Sequence, residues 1–100
     1  MKVLAIGSLV KPLTEAERER ILPREVPHTL QLYLDGVIDQ FWFRQDQPGP
    51  VFIFNVESVD QAKSTVDAMP LMVEGRATYQ FVPIGPLAPL GRLIQGGEEP

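Results

Sequence analysis

Three polar residues spaced four apart, Glu25, Thr29 and Tyr33, offer the most suggestive chemistry of this chain. In a helix, residues four apart lie on one face, so their polar groups form a row. A partly buried carboxylate has a raised pKa, which suits removal of a proton next to a carbonyl group. Glu25 is therefore predicted to be a general base, with Thr29 and Tyr33 as substrate-binding neighbours. The alternative is a carboxylate that only stabilises the first turn of a helix through the helix dipole.

An aromatic residue and a cation, Trp42 and Arg44, follow on a predicted strand. The planar guanidinium of Arg44 matches the two oxygens of a carboxylate, or an enolate oxygen, so Arg44 is predicted to be a second catalytic residue that stabilises an anion. Trp42 and Tyr33 are predicted to form an aromatic wall of the same pocket. The alternatives are a hairpin ion pair of Arg44 with Asp46 or Asp39, and core positions for the two aromatic residues with their polar tips satisfied.

His28 is the only histidine of the chain. It is a candidate for substrate binding because imidazole exchanges protons near neutral pH. The alternative is a histidine at the surface or at a subunit contact, since its position falls opposite the apolar arc of the predicted helix. One histidine with scattered acids and no cysteine gives no metal-ligand spacing, and no glycine-rich phosphate loop is present. We therefore expect no metal and no cofactor.

The elements that must position these residues begin with an apolar run at residues 2–9. Such a run predicts a central strand buried on both faces. Thr14 and Glu17 form a capping box, which predicts that a helix begins there.

Two prolines interrupt this first helical region. Because Pro23 and Pro27 each lack a backbone N–H and clash with the preceding turn, we expect a break near Leu22 and a second helix over residues 24–35. Gly36 is then predicted to end the helix. The residues predicted to face the sheet share one arc at helical spacing: Leu22, Val26, Leu30, Tyr33 and Leu34.

The second half of the chain predicts two antiparallel strands at residues 37–44 and 51–56, joined by the Pro-Gly loop at residues 45–50. Ser58 with Gln61 caps the next helix, and a last strand is expected over residues 76–82. Pro70 is predicted to close that helix. Its apolar stripe consists of Val59, Ala62, Val66 and Met69.

The element order is β-α-β-β-α-β, which predicts an α+β, ferredoxin-like domain: a four-stranded antiparallel sheet with helices on one face. The other face still carries apolar side chains, so two copies are expected to pack sheet against sheet as a dimeric α/β barrel or a larger homo-oligomer. One domain over residues 1–95 is predicted. Residues 83–95 form its extended, proline-rich apolar arm, and residues 96–100 are expected to be a flexible tail.

Net charge, cysteine content and the length of apolar runs argue against several classes of protein. The 100 residues carry a formal net charge of −4 and no cysteine. Net negative charge disfavours binding to nucleic acid or to an anionic membrane. The absence of cysteine removes disulfides and thiol nucleophiles, and no apolar run is long enough to cross a membrane. We expect a cytoplasmic protein.

Several segments resemble the muconolactone isomerase-like group of dimeric α/β-barrel proteins: LYLDGVI (32–38), FWFR (41–44), DQPG (46–49), MPL (69–71) and PIGPL (83–87). The resemblance covers most of the chain. It implies the ferredoxin-like dimeric barrel and a proton shift within an unsaturated lactone, without metal or organic cofactor. It also implies that Trp42 and Arg44 match a Trp and Arg pair on the second strand, and that Glu25 matches a carboxylate of the first long helix.

Three functions stay open at this point. The first is a cofactor-independent isomerase that moves a proton within a lactone or another small carbonyl compound. The second is a non-catalytic module of the same barrel that binds a small ligand or serves assembly. The third is a cofactor-free monooxygenase, because one barrel can carry unrelated reactions.

Overall fold

The computed structural model describes residues 1–86, and the predicted arm beyond Pro86, the tail and the domain end at residue 95 lie outside them. The elements are β1 (Lys2–Leu9), α1 (Glu15–Leu34), β2 (Ile38–Phe43), β3 (Pro50–Asn55), α2 (Val59–Asp67), α3 (Pro70–Val73) and β4 (Ala77–Ile84). The strands form one antiparallel sheet in the order β2-β3-β1-β4. The predicted ferredoxin-like fold is confirmed.

Helix α1 is continuous, so the predicted break near Leu22 is wrong. The capping box of Thr14 and Glu17 is present as predicted. Both Pro23 and Pro27 lie inside the helix, and both are exposed. Their missing N–H groups leave carbonyl oxygens without a helical partner on the solvent side, where water can hydrogen-bond to them. The left-handed Gly36, at φ 80°, ends the helix as expected.

The face of α1 that packs on the sheet is not the predicted one. Val26, Leu30, Tyr33 and Leu34 are all exposed, whereas Ile21 and Glu25 are buried. The inward side therefore follows residues 21, 25, 28 and 32, which share one face at helical spacing. Apolar periodicity predicted the wrong side because it treats every carboxylate as a surface residue. A carboxylate can be buried when hydrogen-bond donors surround it, as Glu25 is.

The main hydrophobic core lies between the sheet and the helices. Its fully buried side chains include Phe54, Val3 and Met69. Ser58 caps α2 as predicted, and the stripe of Ala62, Val66 and Met69 is buried. A second, smaller cluster of Ile21, Leu71 and Ala77 joins α1 to α3 and β4. Pro70 begins the short helix α3, which the sequence analysis did not anticipate; its fixed φ suits a first helical position.

Side chains of β2 alternate between the two faces of the sheet from Gln40 to Phe43, after an irregularity between Ile38 and Gln40. Phe41 pairs with the buried Phe52 and so points to the helix side, whereas Trp42 pairs with Val51 on the opposite face. No helix of the described residues 1–86 covers that opposite face, and we call it the open face. Its apolar side chains, placed by strand register, include Leu4, Ile6, Trp42, Ile53 and Val82.

Strand β4 reaches Ile84, two residues beyond the predicted end at Val82. It therefore takes in Pro83, which the sequence analysis assigned to the arm. A proline is tolerated there because β4 is an edge strand, on which one row of N–H groups has no strand partner.

Candidate functional site

Glu25 is the one buried charged side chain among residues 1–86, with 6% of its surface exposed. Its Oε1 accepts a hydrogen bond of 2.9 Å from the backbone N–H of Leu71, at the start of α3. Its Oε2 accepts from the Thr29 hydroxyl at 3.4 Å, one turn further along α1. Oε1 is thus tied to the backbone, whereas Oε2 has only a long contact and keeps lone pairs free for another donor.

Tyr79 of β4 is the residue that the sequence analysis missed. Its hydroxyl is buried and has no hydrogen-bond partner within residues 1–86. Burial, and then the negative charge of Glu25, raise the pKa of Tyr79, so its hydroxyl keeps its proton. An unsatisfied buried hydroxyl costs about 1–3 kcal/mol, which calls for an explanation. No motif marked Tyr79, because its closeness to Glu25 arises only when α1 and β4 pack together.

The ring of Tyr79 is held firmly within the core. It stacks with Phe52 at 6.3 Å and with Phe81 at 6.2 Å between ring centres. A side chain at Gly7 would bring its Cβ to 2.9 Å from the Tyr79 ring, so this glycine lets the ring approach β1. Fixed ring packing gives the hydroxyl a defined position, which a catalytic hydrogen-bond donor requires.

Arg44 lies on the open face, so the structure does not bring it together with Glu25. Its guanidinium holds both carboxylate oxygens of Asp46, at 2.9 and 2.7 Å. It also donates to the Ser8 hydroxyl at 2.9 Å and to the Gly7 carbonyl at 3.3 Å. The hydrogen bond from Arg44 lowers the pKa of Asp46. The pairing with Asp46 that the sequence left open is therefore present, and it ties the β2–β3 hairpin to β1.

The remaining predicted site residues are scattered. Thr29 is beside Glu25, but Tyr33 is exposed and packs its ring on Phe41 at 5.3 Å between centres. Trp42 is half exposed on the open face. His28 is half-buried one turn from Glu25 on the inward side, so its predicted position opposite the core is wrong. Of the six candidates, the helix side of the sheet thus gathers Glu25, Thr29 and His28.

Ion pairs surround the Glu25 region and fix α1 to α3 and β4. Glu17 pairs with Arg76, and Arg20 and Arg24 both reach Glu74, at 2.8 and 3.3 Å. The backbone N–H of Thr14, followed by the charge of Arg76, lowers the pKa of Glu17, and the hydrogen bond from Arg20 lowers that of Glu74. The Glu17 and Glu74 carboxylates are therefore ionised and paired with arginines. Glu25 differs from them, because it is buried and its Oε2 has only a long contact.

Together Glu25 and Tyr79 place a carboxylate acceptor and a neutral hydroxyl donor in one apolar setting. Ile21, Leu71 and Ala77 pack at this position, with Met72 and Tyr79 touching both core clusters. A carboxylate can take a proton from a carbon acid, and a phenol can hydrogen-bond the oxygen on which charge then develops. Low polarity strengthens both interactions.

A separate groove of about 380 Å³ opens on the other side of the sheet, around Arg44. It is lined by Ile6, Ser8, Arg44, Gln47, Thr78, Tyr79 and Gln80. Its polar walls and its guanidinium suit a small anionic or hydroxylated ligand.

None of the three helices within residues 1–86 combines the length and the apolar content that a membrane crossing requires. In the same part of the chain, no three histidine, aspartate or glutamate side chains converge as metal ligands do. The expectations of no metal and no cofactor stay predictions.

Known proteins resemble this chain in structure but not detectably in sequence. No protein-family profile matches the chain, and no curated protein sequence matches it. Solved structures do. A crystal structure of muconolactone isomerase superposes with a TM-score of 0.72 at 16% identity, over 86% of this chain and 90% of the other.

A second solved structure is 5-chloro-2-hydroxyhydroquinone dehydrochlorinase (TftG) from Burkholderia phenoliruptrix AC1100, in complex with 2,5-dihydroxybenzoquinone. It superposes with a TM-score of 0.68 at 17% identity, over 85% of this chain and 94% of the other. At such identities the likeness concerns the fold. The chain has the fold of muconolactone isomerase, as the sequence resemblance predicted.

Proposed function

We propose that this protein is a cofactor-independent enzyme that moves a proton within a small unsaturated lactone or a related carbonyl compound. The observation that carries the proposal is the proximity of two buried groups. One is the Glu25 carboxylate, whose Oε2 has a single long contact, and the other is the Tyr79 hydroxyl, which has no hydrogen-bond partner within residues 1–86. The fold is shared with an isomerase and a dehydrochlorinase, both of which act on small molecules. That likeness supports the class of reaction without naming the substrate.

The proposed reaction conserves all atoms and electrons. Glu25 removes a proton from the carbon next to the carbonyl group. The electron pair of that C–H bond forms a C=C bond to the carbonyl carbon, and the π pair of the C=O bond moves onto the oxygen. The Tyr79 hydroxyl donates a hydrogen bond to this enolate oxygen, and Thr29 holds the carboxyl group. The protonated Glu25 then returns the proton to the far carbon of the conjugated system, which gives the isomer and restores the carboxylate.

Arg44 has no place in this step, because it lies across the sheet and is engaged with Asp46. In this proposal Tyr79, and not Arg44 as expected from the sequence, stabilises the enolate oxygen. Trp42 and Tyr33 are likewise outside the proposed site, whereas the half-buried His28 stays a candidate substrate contact beside Glu25.

The proposal is tested with a panel of small β,γ-unsaturated lactones and enones, whose isomerisation produces a conjugated chromophore. Glu25→Gln keeps the shape of the side chain and an acceptor for the Leu71 N–H, but it removes the base. We expect it to lower kcat by about 10²–10⁴-fold. Tyr79→Phe should lower kcat by about 10²-fold or more through loss of the donor.

Glu19→Gln is the matched control, because Glu19 is an exposed carboxylate on the same helix. It should leave the rate within the error of the wild type. An isomerase whose rate is unchanged by Glu25→Gln would overturn the assignment of the base.

A second candidate function, a non-catalytic binding module, is favoured by the groove on the open face. In that case a small anion or polyol would bind near Arg44, and NMR shifts on titration would map to Ser8, Thr78 and Gln80 rather than to Thr29 and Leu71. No member of the panel would be converted, and Glu25→Gln would leave the affinity unchanged.

The proposed enzyme also acts as a homodimer, in which the apolar open face of one copy packs on that of another. The exposed Trp42 and Ile84, at 51% and 39%, support this pairing. The cytoplasmic location expected from the sequence stays a prediction.

A further inference from the structure

Gly7 of β1 lies directly beneath the ring of Tyr79. The two residues are paired neighbours in the antiparallel ladder of β1 and β4, so their side-chain positions share the helix side of the sheet. A Cβ atom at Gly7 would lie 2.9 Å from Cε2 of the Tyr79 ring and 2.9 Å from Cδ of Pro50 on β3. The absence of a side chain at Gly7 therefore lets Tyr79 and Pro50 close over β1.

The Tyr79 ring has little room to move away from β1. It stacks with Phe52, which is 3% exposed, and with Phe81. Carbon atoms in favourable contact lie about 3.5–4.0 Å apart, so a methyl group at Gly7 would displace the ring from β1 by roughly 0.6–1.1 Å. Because the interior is close-packed and the ring is rigid, such a displacement also moves the hydroxyl group.

Gly7 is also held by contacts from the β2–β3 hairpin. Its carbonyl oxygen accepts a hydrogen bond of 3.3 Å from Arg44, which also donates to the adjacent Ser8 hydroxyl at 2.9 Å. The hairpin lies directly against this carbonyl group, because a Cβ atom at Gly49 would overlap the carbonyl oxygen. Two hydrogen bonds to Asp46 keep the guanidinium of Arg44 in place. Arg44 and the hairpin therefore fix the backbone of β1 at Gly7.

We propose that Gly7 is a positioning residue for the proton transfer, and that Arg44 anchors it from the open face. Gly7 acts through Tyr79, whose hydroxyl must reach the enolate oxygen while Glu25 removes the proton. This inference rests on the proposed function, because it assigns Gly7 and Arg44 to the same site. A misplacement of about 1 Å can lower a rate about 10²-fold, so the displacement expected from a side chain at Gly7 is large enough to matter.

The direct test is Gly7→Ala in the lactone isomerisation assay, with and without Tyr79→Phe. Phenylalanine keeps the ring and its contact with residue 7 but has no hydroxyl group. We expect Gly7→Ala alone to lower kcat about tenfold or more and to change KM less than about twofold. In the Tyr79→Phe background, Gly7→Ala should leave kcat unchanged. An equal loss in both backgrounds would show a purely structural defect and would overturn the proposal.

Gly85→Ala is the matched control, because a Cβ atom there meets no heavy atom of residues 1–86 within 4 Å. It should leave kcat unchanged. A second readout needs no turnover: the chain has two tyrosines, so ¹³Cζ-labelled tyrosine gives two NMR signals. Gly7→Ala should shift the signal of Tyr79 and leave that of the exposed Tyr33 in place. An unshifted Tyr79 signal would overturn the proposal.

Arg44→Lys tests the anchor without adding an atom at Gly7, so it also serves if Gly7→Ala does not fold. A lysine cannot hold Asp46 with two hydrogen bonds and also reach β1. We expect Arg44→Lys to lower kcat about three- to tenfold, and only when the Tyr79 hydroxyl is present. The exposed Arg18→Lys should have no effect. An unchanged kcat together with an unshifted Tyr79 signal in Arg44→Lys would overturn the anchoring role.

The two readouts separate this inference from the proposed function. If no lactone is converted but Gly7→Ala and Arg44→Lys both shift the Tyr79 signal, the positioning of Tyr79 is supported and the proposed function fails. If Glu25→Gln lowers kcat but Gly7→Ala changes neither kcat nor the Tyr79 signal, the proposed function is supported and the positioning role is overturned.

Discussion

The carboxylate of Glu25 has two partners of unequal strength, and this inequality decides how the residue can act. The bond from the Leu71 N–H to Oε1 is 2.9 Å, whereas the contact from Thr29 to Oε2 is 3.4 Å. The first bond caps α3, whose own N-cap residue Met69 offers no side-chain cap. Glu25 is therefore structural through one oxygen and free to react through the other.

The raised pKa of Tyr79 predicts a pH dependence of stability. Below the ordinary tyrosine pKa of about 10, the folded and unfolded states both keep the proton, so the contribution of Tyr79 is fully present. Above it, the unfolded chain ionises while the buried Tyr79 does not, and the free energy of unfolding falls by up to about 1.4 kcal/mol per pH unit. Urea unfolding between pH 9 and 11 should show this fall in the wild type and not in Tyr79→Phe. Tyr33→Phe, the other tyrosine, should keep it; an identical slope in Tyr79→Phe and wild type would refute the burial effect.

At the scale of the elements, the sequence was informative where a local rule acts and uninformative where packing decides. The caps at Thr14 and Ser58 and the stop at Gly36 were predictable, because each depends on residues within one turn. The continuity of α1 through Pro23 and Pro27 was not, because solvent on that side satisfies the freed carbonyl groups. The face of α1 depends on a partner from α3, far along the chain.

The β2–β3 hairpin depends on Arg44, which joins Asp46 to the backbone of β1. Arg44→Lys keeps the charge but cannot form the two-pronged contact with Asp46 and also reach Ser8. We expect the Leu9 amide, which bonds to Pro48, to exchange its hydrogen roughly three- to tenfold faster in this variant. Hydrogen exchange followed by NMR measures this, with the exposed Arg18→Lys as the control. Unchanged protection of Leu9 would show that the loop holds without Arg44.

At the scale of the whole molecule, the element order predicted the fold because each strand and helix carried its own signal. The candidate site was predictable only in part. Glu25 and Thr29 share a helix, so their spacing sufficed to join them. The sequence analysis placed Arg44 in the same pocket as Glu25, and only the structure shows that the sheet separates the two residues. Tyr79 joins the site through tertiary packing, for which one sequence carries no local mark.

The most direct test of proton transfer at Glu25 is deuterium exchange. The protein is incubated in D₂O with unsaturated lactones, and ¹H NMR follows loss of the signal of the carbon-bound proton next to the carbonyl group. The proposed mechanism predicts exchange with wild-type protein for at least one lactone, and a rate lower by about 10²-fold or more with Glu25→Gln. Exchange that proceeds equally fast with Glu25→Gln, or that fails for every lactone with the wild type, would contradict it.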